Sequence, residues 1–167
     1  FHRPLRIATA VDWEAVEDQR IAFYVGVGEN PLPARLFSGE RALRAQALNE
    51  IFLEQFASGV ATWSKQPRPP QDLAELTLLA LARASLGQEE AKPLIEQLAA
   101  TAPVDAEALR GILAVEQKRY DDAARHLTTV AQRVRAKPGA TTRVLEAALQ
   151  RMVQLAERDA RHAPALF

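Results

Sequence analysis

Between Pro70 and the end of the chain, Gly, Pro and Asp/Thr signals recur so closely that no helix between them exceeds about five turns. The stretches so delimited run over about 72–86, 90–101, 105–118, 121–136 and 142–160. Their boundaries are Asp72, Gly87, Pro103 with Asp105, Asp121, Pro138-Gly139 and Thr141. Pro93 sets the start of the second. A proline inside a helix costs ~3 kcal/mol, whereas in the first turn its missing N–H is harmless, so this helix begins near Glu89–Lys92. Helices this short are marginal in water and must be held by their neighbours. A stacked helical array supplies that condition. Apolar residues make up 48% of the chain and aromatics only 6%, with Ala and Leu dominant, which favours helix over strand. The predicted class is all-α.

The N-terminal part is organised differently. Residues 1–11 (FHRPLRIATAV) read as a short strand or packed arm, and Asp12 is a plausible N-cap for a helix to about Val25, with Trp13, Val16, Ile21 and Tyr24 on one side. A Gly/Pro loop follows to Ser38. Its Gly26-Val27-Gly28 lacks the third glycine of a nucleotide loop, and Pro31 interrupts the helix start such a loop needs. From Ser38, Leu43, Ala47, Leu48, Ile51, Phe52, Phe56, Val60 and Trp63 recur at three- and four-residue spacing, predicting one long helix to about Ser64. The run Lys65-Gln-Pro-Arg-Pro-Pro70 ends it. The expected divisions are 1–38, 39–70 and 71–167. The start Phe1-His2-Arg3-Pro4, without initiator Met or an apolar leader, reads as that of a mature chain or a piece of a longer one.

Within 71–167 a repeat emerges. "LGQEEAKPLIEQLAATAP" (Leu86 to Pro103) and "QKRYDDAARHLTTVAQRV" (Gln117 to Val134) superpose on Ala91 and Ala123, which stand 32 residues apart. In the second copy Tyr120 lies at the turn, Ala123 and Leu127 follow on the second helix, and Gly111 sits inside the first. A glycine there costs roughly 0.8–1 kcal/mol against Ala, and close approach of the partner helix at Ala123–Ala124 would explain it. This pattern resembles the tetratricopeptide repeat, with its small residue in the first helix, aromatic at the turn, alanine in the second helix and closing proline. The resemblance covers about residues 72–138. It departs from the family where the first copy lacks the turn aromatic, where Glu107 stands at the usual tryptophan position, and where Pro138 arrives late. It implies antiparallel helix–turn–helix repeats stacked as a short right-handed α-solenoid. Helix 142–160 would cap the stack, with Val144, Leu145, Ala148, Leu149, Met152 and Leu155 inward. Helices 12–25 and 39–64 would form a divergent N-terminal pair.

The first helices of such repeats line a concave face. The resemblance therefore implies a binding groove of Thr77, Leu81 and Arg83, then Asp105, Ala108, Ile112, Val115 and Glu116, then Arg143 and Arg151, with Ile112 and its neighbours pointing outward. Ala108 and Ile112 replace the polar residues with which some family members grip a terminal carboxylate, so apolar anchors on a partner segment are the expected ligand. The implied function is a non-catalytic protein-binding scaffold or adaptor. Homodimerisation through the same apolar surface is the competing use.

Other classes fit less well. His2, His126 and His162 lie far apart and pair with no carboxylate at metal-ligand spacing, and Ser38, Ser58, Ser64 and Ser85 lack a nucleophile-elbow context. Glu89/Glu90 and Asp121/Asp122 stand at helix N-termini, where the dipole favours them by ~0.3–1 kcal/mol. Neither a cofactor nor a metal is expected. With 21 basic and 21 acidic side chains the chain lacks the basic excess of a nucleic-acid binder. The charge is nevertheless uneven: ten Lys/Arg face five acids from Lys118 to Arg161, while Asp12, Glu14, Glu17 and Asp18 form an acidic run. That keeps RNA or a membrane surface as an alternative, without interleaved aromatics to stack on bases. "FHRPLRIATA" and the helices after it are similar to the extension trailing the catalytic domain of bacterial spermidine-synthase-like proteins, which implies an assembly or regulatory module as another alternative. No stretch approaches 18 consecutive apolar residues. The lack of cysteine fits a reducing compartment, placing cytoplasm ahead of periplasm.

Overall fold

A computed structural model describes residues 38–136, 142–161 and 164. Among them lie seven α-helices and no strand: α1 (Gly39–Phe52), α2 (Phe56–Trp63), α3 (Leu73–Ser85), α4 (Ala91–Ala99), α5 (Pro103–Glu116), α6 (Tyr120–Ala136) and α7 (Thr142–Arg158). The all-α reading is thereby shown. Expectations for the arm, the helix from Asp12, the Gly/Pro loop and Pro138-Gly139 fall outside the described residues.

Local signals act much as the sequence predicts. The Asp72 carboxylate accepts from the Glu75 backbone N–H at 2.8 Å, and the Glu75 carboxylate in turn accepts from the Gln71 backbone N–H at 2.8 Å. Pro93 lies in the first turn of α4. Pro103 opens α5 instead of preceding it, so Asp105 belongs to the first turn and is not the cap.

The long helix expected over 39–64 is in fact two helices. Glu54 takes a left-handed conformation (φ 61), its N–H donates to Ile51 O at 2.9 Å, and the Gln55 N–H donates to Glu50 O at 2.8 Å. This is a Schellman closure with Glu where glycine is usual, and it escapes a reading that looks for Gly or Pro. The same closure ends α3 at Gly87 (φ 68), with Gln88 N to Arg83 O at 3.0 Å. It also ends α5 at Lys118 (φ 61), with Arg119 N to Ala114 O at 2.8 Å. After each corner a small residue sits on the returning helix: Gly59, Ala91 and Ala123, each 32 positions after the last. A Cβ at Gly59 would stand 2.4 Å from Ile51 Cγ1 and 3.0 Å from Ala47 O, so α1 and α2 approach too closely for any side chain there.

Three successive hairpins therefore precede α7, the first of them made by α1 and α2 within the span expected as one helix. The odd-numbered helices touch in sequence, α1 to α3, α3 to α5 and α5 to α7, while α2 packs on α3, α4 on α5 and α6 on α7. Gly111 is explained by close approach, but at a different place. Its Cβ would meet Leu127 Cδ2 at 2.7 Å and His126 Cβ at 3.5 Å, not the neighbourhood of Ala123–Ala124.

One apolar cluster joins α1, α2 and α3 through Leu48, Ile51, Val60, Trp63, Leu78 and Leu79. A second runs from α3 to α7 through Leu81, Ile95, Leu109, Ile112, Leu127 and Met152. Arg44 and Glu75 stitch the first two hairpins together inside this core. Arg44 Nε donates to Glu75 Oε1 at 3.1 Å and Nη2 to both carboxylate oxygens, with the guanidinium 5.8 Å from the centre of the Trp63 ring. Burial pushes the Glu75 carboxyl up against the pull of Arg44. On α7, Val144, Ala148, Met152 and Leu155 are buried, but Leu149 is 47% exposed and Val153 45%. Leu149, expected inward, points away because the buried stripe of α7 is narrower than its apolar one.

Candidate functional site

The proposed groove residues divide into two groups. Thr77, Leu81, Asp105, Ala108 and Ile112 are buried, Ala108 and Ile112 completely. Their outward assignment is corrected for a packing reason. Helix α5 lies in the middle of the stack, contacted by α3 and α7 along one direction and by α4 and α6 along the other, so it has little free face. Thr77 satisfies its hydroxyl by donating to Leu73 O at 2.7 Å. Val115 and Arg83 are half-buried, and Arg83 Nη1 donates to Gln88 Oε1 at 3.3 Å.

Leu81, Arg143 and Arg151 do come together. They line a cleft of about 80 Å³ between the α1–α2 corner, α3 and α7, with Ile51 and Phe56 on its apolar side and Glu146 and Gln150 among its polar lining. A water in the liquid occupies about 30 Å³, so this space holds a few waters and no helix. Two contacts draw its walls together. The Arg143 guanidinium lies 3.8 Å above the Phe52 ring, with Glu54 Oε1 3.8 Å from Arg143 Nη1. Arg151 Nε donates to Glu116 Oε1 at 2.8 Å, binding α7 to α5.

Two other clefts differ in character. About 530 Å³ opens at the α5–α6 corner beside the end of α7, lined by Lys118, Arg119, Asp121, Asp122, Arg158 and Asp159 among others. Arg158 covers the Tyr120 ring at 4.5 Å, so the turn aromatic anchors the last helix as well as its own corner. Positive and negative groups alternate here, and no single-sign field results. The third cleft, about 320 Å³, lies where α4, α5 and α6 meet and is lined in part by Ile95, Arg110, Leu113 and His126.

Beside that third cleft lies a polar cluster that sequence reading missed. His126 Nδ1 donates to Glu107 Oε1 at 2.8 Å, Arg110 Nη1 donates to Glu107 Oε2 at 3.0 Å, and Arg110 Nη2 donates to Glu96 Oε1 at 2.9 Å. Burial pulls the Glu107 carboxyl up, but the hydrogen bonds from His126 and Arg110 outweigh it and hold the group below the usual carboxylate range. Glu107, an acidic residue within the first helix of the second copy, was the available signal. Its partner, 19 residues away on the next helix, could be named only once the hairpin register was known.

Among the described residues no three His, Cys, Asp or Glu side chains are placed to hold a metal ion. Part of the basic excess of the C-terminal half is compensated in place. Arg119 and Arg125 pair with Asp122, Arg143 with Glu54, Arg151 with Glu116 and Arg161 with Asp159. No described helix is long and apolar enough to cross a membrane. Compared with protein-family models, curated proteins and solved structures, the chain matches none.

Proposed function

We propose that the chain is a non-catalytic protein-binding module, a tetratricopeptide-like array whose hairpins wind as a short right-handed α-solenoid and receive a partner segment where the α1–α2 corner, α3 and α7 meet. The observation that supports this reading is the threefold recurrence of one hairpin. Each first helix closes at a left-handed residue (Glu54, Gly87, Lys118), each second helix carries a small residue 32 positions from the last, and alternate helices touch. Stacks of this kind present side-by-side helices as an extended recognition surface, and their chemistry is shape, apolar anchoring and a polar rim. Here the anchor positions are Ile51, Phe56 and Leu81, and the rim is Glu54, Glu146, Gln150 and Arg151. The partner segment is one carrying an apolar side chain flanked by charges of both signs.

The test is affinity capture from extract of the source cells, with the wild-type chain beside Glu146→Lys/Gln150→Lys. Both positions are exposed, so the variant keeps its helicity and melting temperature. A protein held by the wild type and lost by the rim variant supports the reading. Equal capture by both, or none, overturns it. Sedimentation at twice 18.4 kDa would assign the surface to self-association instead.

A further inference from the structure

We propose that the cleft where α4, α5 and α6 meet binds a carboxylate carried on a small apolar body, at a site separate from the surface assigned above to a protein partner. Four observations carry it. The first is shape and size. The cleft measures about 320 Å³, and its floor is made by Ile95 of α4 and Leu113 of α5, 1% and 2% exposed. Small-ligand sites are concave and mostly apolar with a few convergent polar groups, and begin at about 300 Å³. An apolar cavity of about 150 Å³ already suffices for a benzene ring. The space therefore takes one ring or branched chain together with a charged head. The second observation is the sign of the charge. Among the described residues of the lining, Lys92 of α4, Arg110 of α5 and Arg119 of the α5–α6 corner are permanent cations, and Glu96 supplies the one carboxylate. The other acids that pair with these cations, Glu89, Glu107 and Asp122, stand outside the lining.

Third, the chain itself shows how a carboxylate is held there. Arg110 Nη2 donates to Glu96 Oε1 at 2.9 Å, while Nη1 is committed to Glu107. Arg110 is 29% exposed and Glu96 68%, so the guanidinium is the fixed half of the pair and the Glu96 carboxylate the replaceable one. An ion pair this exposed is weak. A ligand carboxylate whose apolar body also covers Ile95 and Leu113 gains burial that Glu96 does not, and displaces it. Fourth, the donors are set before any ligand arrives. Glu107, whose burial is outweighed by hydrogen bonds from His126 and Arg110, fixes both of those side chains at once. His126 spends Nδ1 on that contact, and its Nε2 has no partner among the described residues, leaving a polar atom on the α6 wall for the ligand. The chemistry selects against the alternatives. An amine meets three cations, a neutral amide forms no ion pair with Arg110, and an anion without an apolar body gains nothing from the floor.

The experiment is a proton–nitrogen NMR titration of the full chain with phenylacetate, beside phenylacetamide, phenethylamine and acetate. The expected result is a saturable shift of the Ile95, Leu113 and His126 signals, with a dissociation constant of about 0.1–5 mM for a ligand this small. Phenylacetamide and acetate should bind ~10-fold more weakly or not at all, because each lacks one half of the recognised group. Glu96→Gln removes the resident competitor and should tighten phenylacetate by ~2–5-fold, a gain that a merely structural role for Glu96 does not produce. Arg110→Gln should weaken it by ~10-fold, with circular dichroism confirming helicity. Glu96 is exposed, so its variant decides the matter even if Arg110→Gln does not fold. Free acids and the ends of protein chains carry the same group, and acetyl-glycyl-phenylalanine separates the two sources. Binding of the peptide at the same residues points to a protein terminus, and its exclusion while phenylacetate binds points to a free acid; both keep the site. No saturable shift up to ~20 mM overturns the proposal, as does equal binding of phenylacetamide. So does a Glu96→Gln chain whose affinity is unchanged or weaker.

Discussion

Replacing Gly59 with alanine sets helix propensity against close packing, and the structure decides which wins. Gly59 lies inside α2, where alanine gains about 1 kcal/mol over glycine if nothing obstructs its methyl group. The methyl would lie 2.4 Å from Ile51 Cγ1, 3.0 Å from Ala47 O and 3.1 Å from Ile51 N. Two of these atoms are backbone, so α1 and α2 must move apart and loosen the cluster around Leu48, Val60 and Trp63. Overpacking of this kind costs about 1–3 kcal/mol, and a clash with backbone belongs at the upper end. The expected net loss is about 1–2 kcal/mol, a fall of about 2–8 °C in melting temperature for a chain of this size. Thermal melts followed by circular dichroism measure it. Gly111→Ala is the internal comparison. Its closest obstacles are the Cδ2 and Cγ atoms of Leu127, at 2.7 and 2.8 Å, which can rotate, so its loss should be smaller. Adding Ile51→Ala to Gly59→Ala should cost less than the sum of the two single changes, because the atom the new methyl strikes first is gone. A rise in melting temperature for Gly59→Ala would refute the close α1–α2 approach, and with it the first of the three hairpins.

Other consequences follow from the same contacts. Arg44→Ala leaves the Glu75 carboxylate buried without its partner and should cost about 3–5 kcal/mol by urea titration, whereas Arg44→Met/Glu75→Leu should stay close to the wild type. Lys118→Gly relieves a left-handed L-residue at an exposed corner and should stabilise by about 1 kcal/mol, while Gly87→Ala should destabilise by a similar amount, both read from melting temperatures. The Glu107 carboxyl is held below its usual range in the folded chain, so its contribution is present above the unfolded carboxylate pKa and is lost as pH falls through the lower folded value. Between about pH 5 and pH 3 the wild type should therefore lose more melting temperature than Glu107→Gln, and parallel curves would contradict the assignment.

Helix boundaries were legible wherever they are made by local chemistry. Asp72, Pro93, Gly87 and the residues around Pro103 act through the backbone of their own few neighbours, and their effect is present in a linear reading. Ala91, Gly111, Tyr120, Ala123 and Leu127 likewise mark a hairpin in the linear sequence, because a small residue inside a helix needs a neighbour to justify it. The break at Glu54 was illegible for the converse reason. A glutamate adopts the left-handed conformation only because the α1–α2 packing repays the strain, and the apolar spacing of a helix continues across the break.

The amino-acid sequence by itself determined that this chain is helical, where most of its later helices start and stop, and that its hairpins recur at a fixed spacing. Those properties follow from propensity, caps and periodicity, which act over a few residues. Tertiary structure alone decided which side of each helix is covered. The repeat pattern turns Ala108 and Ile112 toward a groove, but α5 is enclosed by four neighbours and those residues lie in the core. It also decided that Arg143 meets Phe52 and that Glu107 meets His126. Contacts between residues so far apart in the chain are set by the accumulated angle of one hairpin upon the next, a quantity that no local pattern encodes.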